Sequence, residues 1–215
     1  MTPSTTTNCV TSFLSTLRLQ VPPFVQAMEQ TLLQKYNLDV SRCQADHVCW
    51  RTETWDEYSE LVGQLKEDVN ICQLLTESNI GGRPITTIYL VEGIYVPCAQ
   101  ATPELNRTIH VIEIPSPKKG SPYKRGLEHV EFVIDATAGD GMHQAPLSPL
   151  NGQIHQSTFD NFMFRYPLPS WNIKAKMKEI NPDIGVKIDL EDFGECSVKF
   201  HLVPLAKVIE YEGNH

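Results

Sequence analysis

The sequence predicts an α+β protein: two β-α-β-β-β units paired into one curved, mostly antiparallel or mixed sheet cup, preceded by N-terminal helices. Three observations predict it. Apolar residues recur at helical spacing from Val10 to Tyr36. From Ala45 the period changes to alternation, interrupted by a single helical stretch, and it runs to Pro115. After a Gly/Pro loop the alternation starts again at Gly126. The second unit is a looser copy of the first in layout, with no identical residues at a fixed period.

Each element follows from local pattern. Val10, Phe13, Leu14 and Leu17 form one helical stripe, and Val25, Met28, Leu32 and Tyr36 form another. Val21-Pro22-Pro23 is expected to break the helix between them, with Pro23 in the first turn of the second and Asn37 closing it. In ADHVCWRTE, His47, Cys49 and Arg51 alternate with Val48 and Trp50, as in a strand. Thr54, with Glu57 three residues on, caps a helix whose stripe is Trp55, Tyr58, Leu61, Val62 and Leu65. The two tryptophans are assigned to core or helix packing.

CQLLTES and RPITTIYLV are two strands around Asn79-Ile80-Gly81-Gly82, and RTIHVIEIP is a third, stopped by Pro115. LEHVEFVID opens the second unit. Residues 136–171 are rich in Pro and Gly, and Phe159, Phe162, Phe164 and Tyr166 suggest a strand or tucked loop there. IGVKIDLED and CSVKFHLVPL form a hairpin around Asp192-Phe193-Gly194, and a short helix starts near Pro204. The expected organisation is a helical extension (1–40), a first unit (41–119) and a second (120–215), in one compact domain.

Composition narrows the function. The chain has 215 residues, a net charge of −8 and a pI near 5.3. The one basic cluster, Lys118, Lys119, Lys124 and Arg125, lies in a Gly/Pro loop, so no nucleic-acid partner is expected. No apolar run approaches the ~20 residues of a membrane span. The start, MTPSTTTN, has no secretory pattern, so a cytoplasmic location is expected, and the six scattered cysteines are expected to be thiols.

The residues that could carry chemistry sit on strands. His47 is on the first strand of unit one and Glu113 on its last. His129 and Glu131 are on the first strand of unit two and His201 on its last. If the units pair, these strands converge and their imidazoles and carboxylates can surround one ion. Zinc, iron, nickel or manganese would suit such donors, and two His plus one carboxylate suit non-haem iron. A lone strand histidine is ordinarily a hydrogen-bonded residue, so a polar network is the competing reading. Arg51 shares the His47 face and Arg83 follows a Gly-Gly turn. Either guanidinium could grip a substrate carboxylate, or form a structural salt bridge.

The segments DHVCWR, NIGGRPI, VIEIPSP, GLEHVEFVI, INPDIGVKI and VKFHLVPL, in this order, resemble the motif series of the YecM family. That family resembles the vicinal oxygen chelate superfamily of glyoxalase I, extradiol dioxygenases and bleomycin-resistance proteins. The likeness covers about residues 41–135 and 172–205. It implies paired βαβββ units and a divalent metal ion bound by His47, Glu113, His129 and His201. The fourth ligand is more often Glu in the superfamily, and His201 departs from that. Glu131 then orients a neighbouring imidazole or Arg51. The implied activity is a metal-dependent isomerase, lyase or dioxygenase acting on a small oxygenated molecule, with Glu113 or Glu131 as proton acceptor. Arg51 and Arg83 would hold the substrate. A metal-free small-molecule binder is the alternative.

Overall fold

The computed structural model describes residues 9–98, 107–120, 124–134, 152–168, 170–178 and 180–213. Helix α1 (Cys9–Tyr36) is followed by β1 (Gln44–Arg51), α2 (Trp55–Glu67), β2 (Cys72–Ile80), β3 (Arg83–Val96) and β4 (Arg107–Pro115). Then come β5 (Gly126–Val133), α3 (Gly152–Arg165), β6 (Ile184–Leu190), β7 (Gly194–His201) and α4 (Leu205–Gly213). The seven strands form one mixed sheet in the order β2-β3-β4-β1-β5-β7-β6.

In each unit the first strand lies parallel to the last, β1 beside β4 and β5 beside β7. The two first strands meet antiparallel at the centre. This is the expected paired-unit fold, with the two halves related by an approximate twofold. The second unit is the looser one. Outside β6, where the first unit carries β2 beside β3, the described residues show only an antiparallel bridge between Asn172 and Gly185.

Three local expectations are corrected. The N-terminal region is one helix, with Pro22 and Pro23 inside it. Those prolines cannot donate to the carbonyls of Arg18 and Leu19, but Leu19 is on the solvent side, 76% exposed. The opposite stripe, Phe13, Leu17, Val21, Phe24, Val25, Met28 and Leu32, is buried without interruption. Burying each such side chain is worth about 1.5–3 kcal/mol, against about 3 kcal/mol for an interior proline. Asn37, at φ 52°, closes the helix as expected.

The second correction concerns α3, which is helical rather than strand or loop. Phe159 is buried and Phe162, Met163 and Tyr166 pack against the core, while Phe164 is 89% exposed. That is a spacing of three and four, not two. Residues 136–151 of the region lie outside the described residues. Third, Trp55 is not core. It is 55% exposed and leans on Tyr58 with ring centroids 5.5 Å apart.

Other elements follow their sequence signals. Thr54 accepts the N–H of Glu57 at 3.1 Å. Gly81 and Gly82, at φ 61° and 80°, make the two-residue β2–β3 turn. No disulfide links the six cysteines. No helix among the described residues is long and apolar enough to cross a membrane.

The sheet has two unlike faces. Val48, Ile112, Val130, Phe132, Val198 and Phe200 line one, within the main hydrophobic cluster. Helices cover that face: Phe13 of α1 meets Trp50 at 5.7 Å and Phe162 of α3 meets Phe200 at 5.1 Å. A buried ion pair also fastens α1 to the sheet, Glu29 with Arg107, whose Nη1 donates to the carbonyls of Val40 (3.2 Å) and Cys43 (3.1 Å). The other face carries the polar residues.

Candidate functional site

Strand register assembles the site. His47 lies opposite Glu131, Cys49 opposite both His129 and Glu113, and Glu131 opposite Lys199. Directly paired residues share a face, so these side chains project from the polar face of the four central strands. One ligand atom each of His47, Glu113 and His129 lies within 4.8 Å of the others. Glu131 Oε1 is 3.4 Å from His47 Nε2 and 3.2 Å from His129 Nε2. Glu113 Oε2 is 3.4 Å from His129 Nε2.

Two β-bulges place acids beside the imidazoles. On a regular strand, neighbouring residues point to opposite faces. On β1 the register shifts between Ala45 and His47, so Asp46 is an extra residue and its side chain joins His47 on the polar face. Its Oδ2 lies 2.8 Å from His47 Nδ1 and also accepts the N–H of Leu205, at 2.9 Å, at the start of α4. On β5 the extra residue is Glu128, between Leu127 and His129. Its carboxylate approaches His129 Nδ1 at 3.7 Å and pairs with Arg51. In both units an acid thus lies on the Nδ1 side while the other ring nitrogen turns toward the cluster. Asp46 is at hydrogen-bond distance from His47, as is usual for metal-ligating histidines, whereas Glu128 is an electrostatic neighbour of His129 without a hydrogen bond to it.

Charge is dense here. Burial opposes ionisation of His47, yet Glu131 and Asp46 carry its pKa up to about 9. His129 is likewise raised, against burial and Lys199, by Cys49 and Glu113. Burial works against the Glu113 carboxylate too, but His129 holds it down at about 2. Glu131 is depressed against its burial by Lys199 and His47.

The sign of the pH dependence follows. A raised imidazole stabilises the fold fully below its ordinary 6.5, and that contribution is lost as pH rises through about 9. A depressed carboxylate stabilises it above 4.5, and that is lost as pH falls through about 2. Chelator-treated protein should therefore melt highest between pH 4.5 and 6.5. A melting temperature that climbs from pH 6.5 to 9 would contradict this charge assignment.

His201 is not in that triad but forms a second buried group with Asp46 and His47, one ligand atom of each within 4.8 Å of the others. Its ring centroid is 5.8 Å from that of His47, and its Nε2 approaches Asp46 Oδ2 at 3.4 Å. Burial lowers its pKa, so this approach is a contact of a neutral ring rather than an ion pair. Its Nδ1 meets Asn181 Oδ1 at 3.4 Å and lies 3.9 Å from Glu131 Oε2. The place on β7 nearest the donors belongs to Lys199, whose Nζ is 2.6 Å from Glu131 Oε1 and 3.3 Å from His129 Nε2. The guanidinium of Arg51 pairs with Glu128, and that of Arg83 donates to the Ser116 carbonyl at 2.8 Å. Thr87, not Arg83, faces Glu113 on β3. Arg83 lies four residues further along, about 13 Å at strand spacing.

Asp46, Glu128 and Lys199 were not foreseen as site residues. A signal for the first two was present: Asp46-His47-Val48 recurs as Glu128-His129-Val130 at the start of the second unit. Lys199 has no such mark.

A family model described as YecM protein matches residues 14–212. A solved structural-genomics protein, EC4020, superposes with a TM-score of 0.58 at 23% identity, over 93% of this chain and 92% of that one. The hydroxyglutarate synthase of Oryza sativa, in complex with 2-oxoadipate, aligns over 90% of this chain and 79% of its own, at 9% identity and a TM-score of 0.42. No curated protein matches the sequence.

Proposed function

Since the chain belongs to the YecM family, we propose that it is a metal-dependent enzyme of the vicinal-oxygen-chelate type, acting on a small oxygenated substrate. One observation carries the reading. His47 and His129, from the first strands of the two units, turn toward one another and toward Glu113 and Glu131, each with an acid on the Nδ1 side. These residues fit a divalent ion in donor type and orientation. Zinc, iron, nickel and manganese all accept such donors.

His47, His129 and Glu113 would hold the ion. His201, the fourth ligand that the family resemblance implies, is left out of this set because it meets His47 from the Asp46 side, in a group of its own. The ion would supply Lewis acidity toward two neighbouring substrate oxygens. Glu131 touches both imidazoles and is the candidate proton acceptor. Asp46 keeps the His47 proton on Nδ1. Solvent and substrate would reach the cluster past Glu113 and Lys199, whose side chains are 19% and 31% exposed, while His47 and His129 are buried.

A second reading has its own support. The Lys199 ammonium neutralises Glu131 without any ion, as suits a metal-free small-molecule binder. Elemental analysis separates the two. Protein purified without a nickel column should carry about one divalent ion per chain, or take one up on dialysis against zinc, iron, nickel or manganese. Protein that takes up none would end the enzyme reading and leave the binder.

A further inference from the structure

Lys199 is the feature of the site that the metal reading leaves unused. It stands opposite Glu131 in the β5–β7 register, its ammonium 2.6 Å from Glu131 Oε1 and 3.3 Å from His129 Nε2. That nitrogen is the one the proposed ion needs. An ammonium and a divalent ion compete for it, because two cations a few ångströms apart repel strongly even at the effective dielectric of a protein. Entry of the ion therefore requires Lys199 to leave.

A glycine accommodates the lysine stem, and the side chain is part-exposed. Gly185 on β6 lies directly beside Lys199, and a Cβ there would come within 3.2 Å of Lys199 Cγ and 2.9 Å of the Val198 carbonyl. The lysine stem thus runs over bare backbone, and the side chain already reaches solvent. Displaced, the ammonium stays tethered at the rim. The guanidiniums of Arg51 and Arg83 bond Glu128 and the Ser116 carbonyl, whereas Lys199 is beside the donors themselves.

We propose that Lys199 is an internal counter-cation: it holds the donor atoms together until a divalent ion takes its place, and then fixes an anionic group of the substrate beside that ion. The inference rests on the metal reading above and adds a substrate class, small oxygenated anions. It also gives β7 a role in the site through Lys199.

Calorimetry with zinc and oxalate, a dianion with neighbouring oxygens, tests it. Lys199→Met removes the charge and keeps the stem, and it should bind zinc at least about tenfold more tightly than the wild type. Zinc-loaded Lys199→Met should bind oxalate at least about tenfold more weakly, while Lys199→Arg, which keeps the charge, should retain oxalate. Lys199→Gln repeats both titrations if thermal unfolding shows the Met variant to be misfolded. Equal zinc affinity in wild type and variant, or equal oxalate affinity, overturns the proposal while leaving the metal centre intact. If neither protein binds zinc, the metal reading itself fails and this inference falls with it.

Discussion

Replacing His47 and His129 together by alanine is expected to abolish stoichiometric binding of a divalent ion while the fold survives. Outer partners of metal ligands are alone worth about 10–100-fold in affinity, so losing two nitrogen donors should cost more than about a hundredfold. Survival of the fold is the less obvious half, because both rings are buried among carboxylates. Three of the carboxylates keep another partner, however, and the fourth, Glu113, reaches solvent. Asp46 retains the Leu205 N–H, Glu128 retains Arg51, and Glu131 retains Lys199. The apolar face of the sheet, where the core lies, is untouched. The double variant should therefore keep its far-ultraviolet circular dichroism and lose its metal by elemental analysis. Wild-type metal content in the variant would refute the ligand assignment, and an unfolded variant would favour a purely structural histidine network.

The largest effect on stability is expected at Arg107→Met. Arg107 and Glu29 are both nearly buried, and the guanidinium also serves two carbonyls and lies 5.7 Å over the Phe132 ring. Removing it strands Glu29 as an unpaired buried charge, a loss of about 3–5 kcal/mol. In a chain of this size that lowers the melting temperature by roughly 10 °C. The cost lies in the stranded charge, so adding Glu29→Leu should recover much of it. A single variant within ~1 kcal/mol of wild type in urea unfolding would show that the pair does not clamp α1 to the sheet.

Much of this architecture was legible because local signals agreed with tertiary demands. Alternation in ADHVCWRTE, RTIHVIEIP and LEHVEFVID marks the three strands that carry His47, Glu113 and His129, and each was placed to within a residue or two. Thr54 marks the start of α2, and Gly81-Gly82 the turn. The misreadings share a cause, which is that a local rule was applied where packing overrode it. Pro22 and Pro23 read as a stop, but Val21 and Phe24 continue the buried stripe across them. Phe162, Phe164 and Tyr166 alternate on paper, yet Phe159, Phe162 and Tyr166 are the helical set and Phe164 is the residue left in solvent. At the site, the facing positions of β1, β4 and β5 were readable from alternation. Asp46 and Glu128 were not, because a period of two assigns them to the opposite face. His201 shares a strand and a face with Lys199, and sequence alone does not say which of the two side chains lies against His129 and which against Asp46.

The bulges at Asp46 and Glu128 also divide each first strand into two segments that are out of phase. Ala45 and His47 are both odd-numbered, yet Ala45 belongs to the oily layer and His47 to the polar one. Leu127 and His129 are split in the same way. The extra residue thus adds a side chain to the polar layer without moving its neighbours out of theirs. Losing Asp46 would leave Ala45 beside Phe132 and His47 beside Glu131, a regular ladder with both layers still sorted, and would take away only the carboxylate beside His47 Nδ1. Each bulge therefore lends the site one acidic side chain that a regular strand would have to place on the opposite face, while the core alternation on either side of it stays intact.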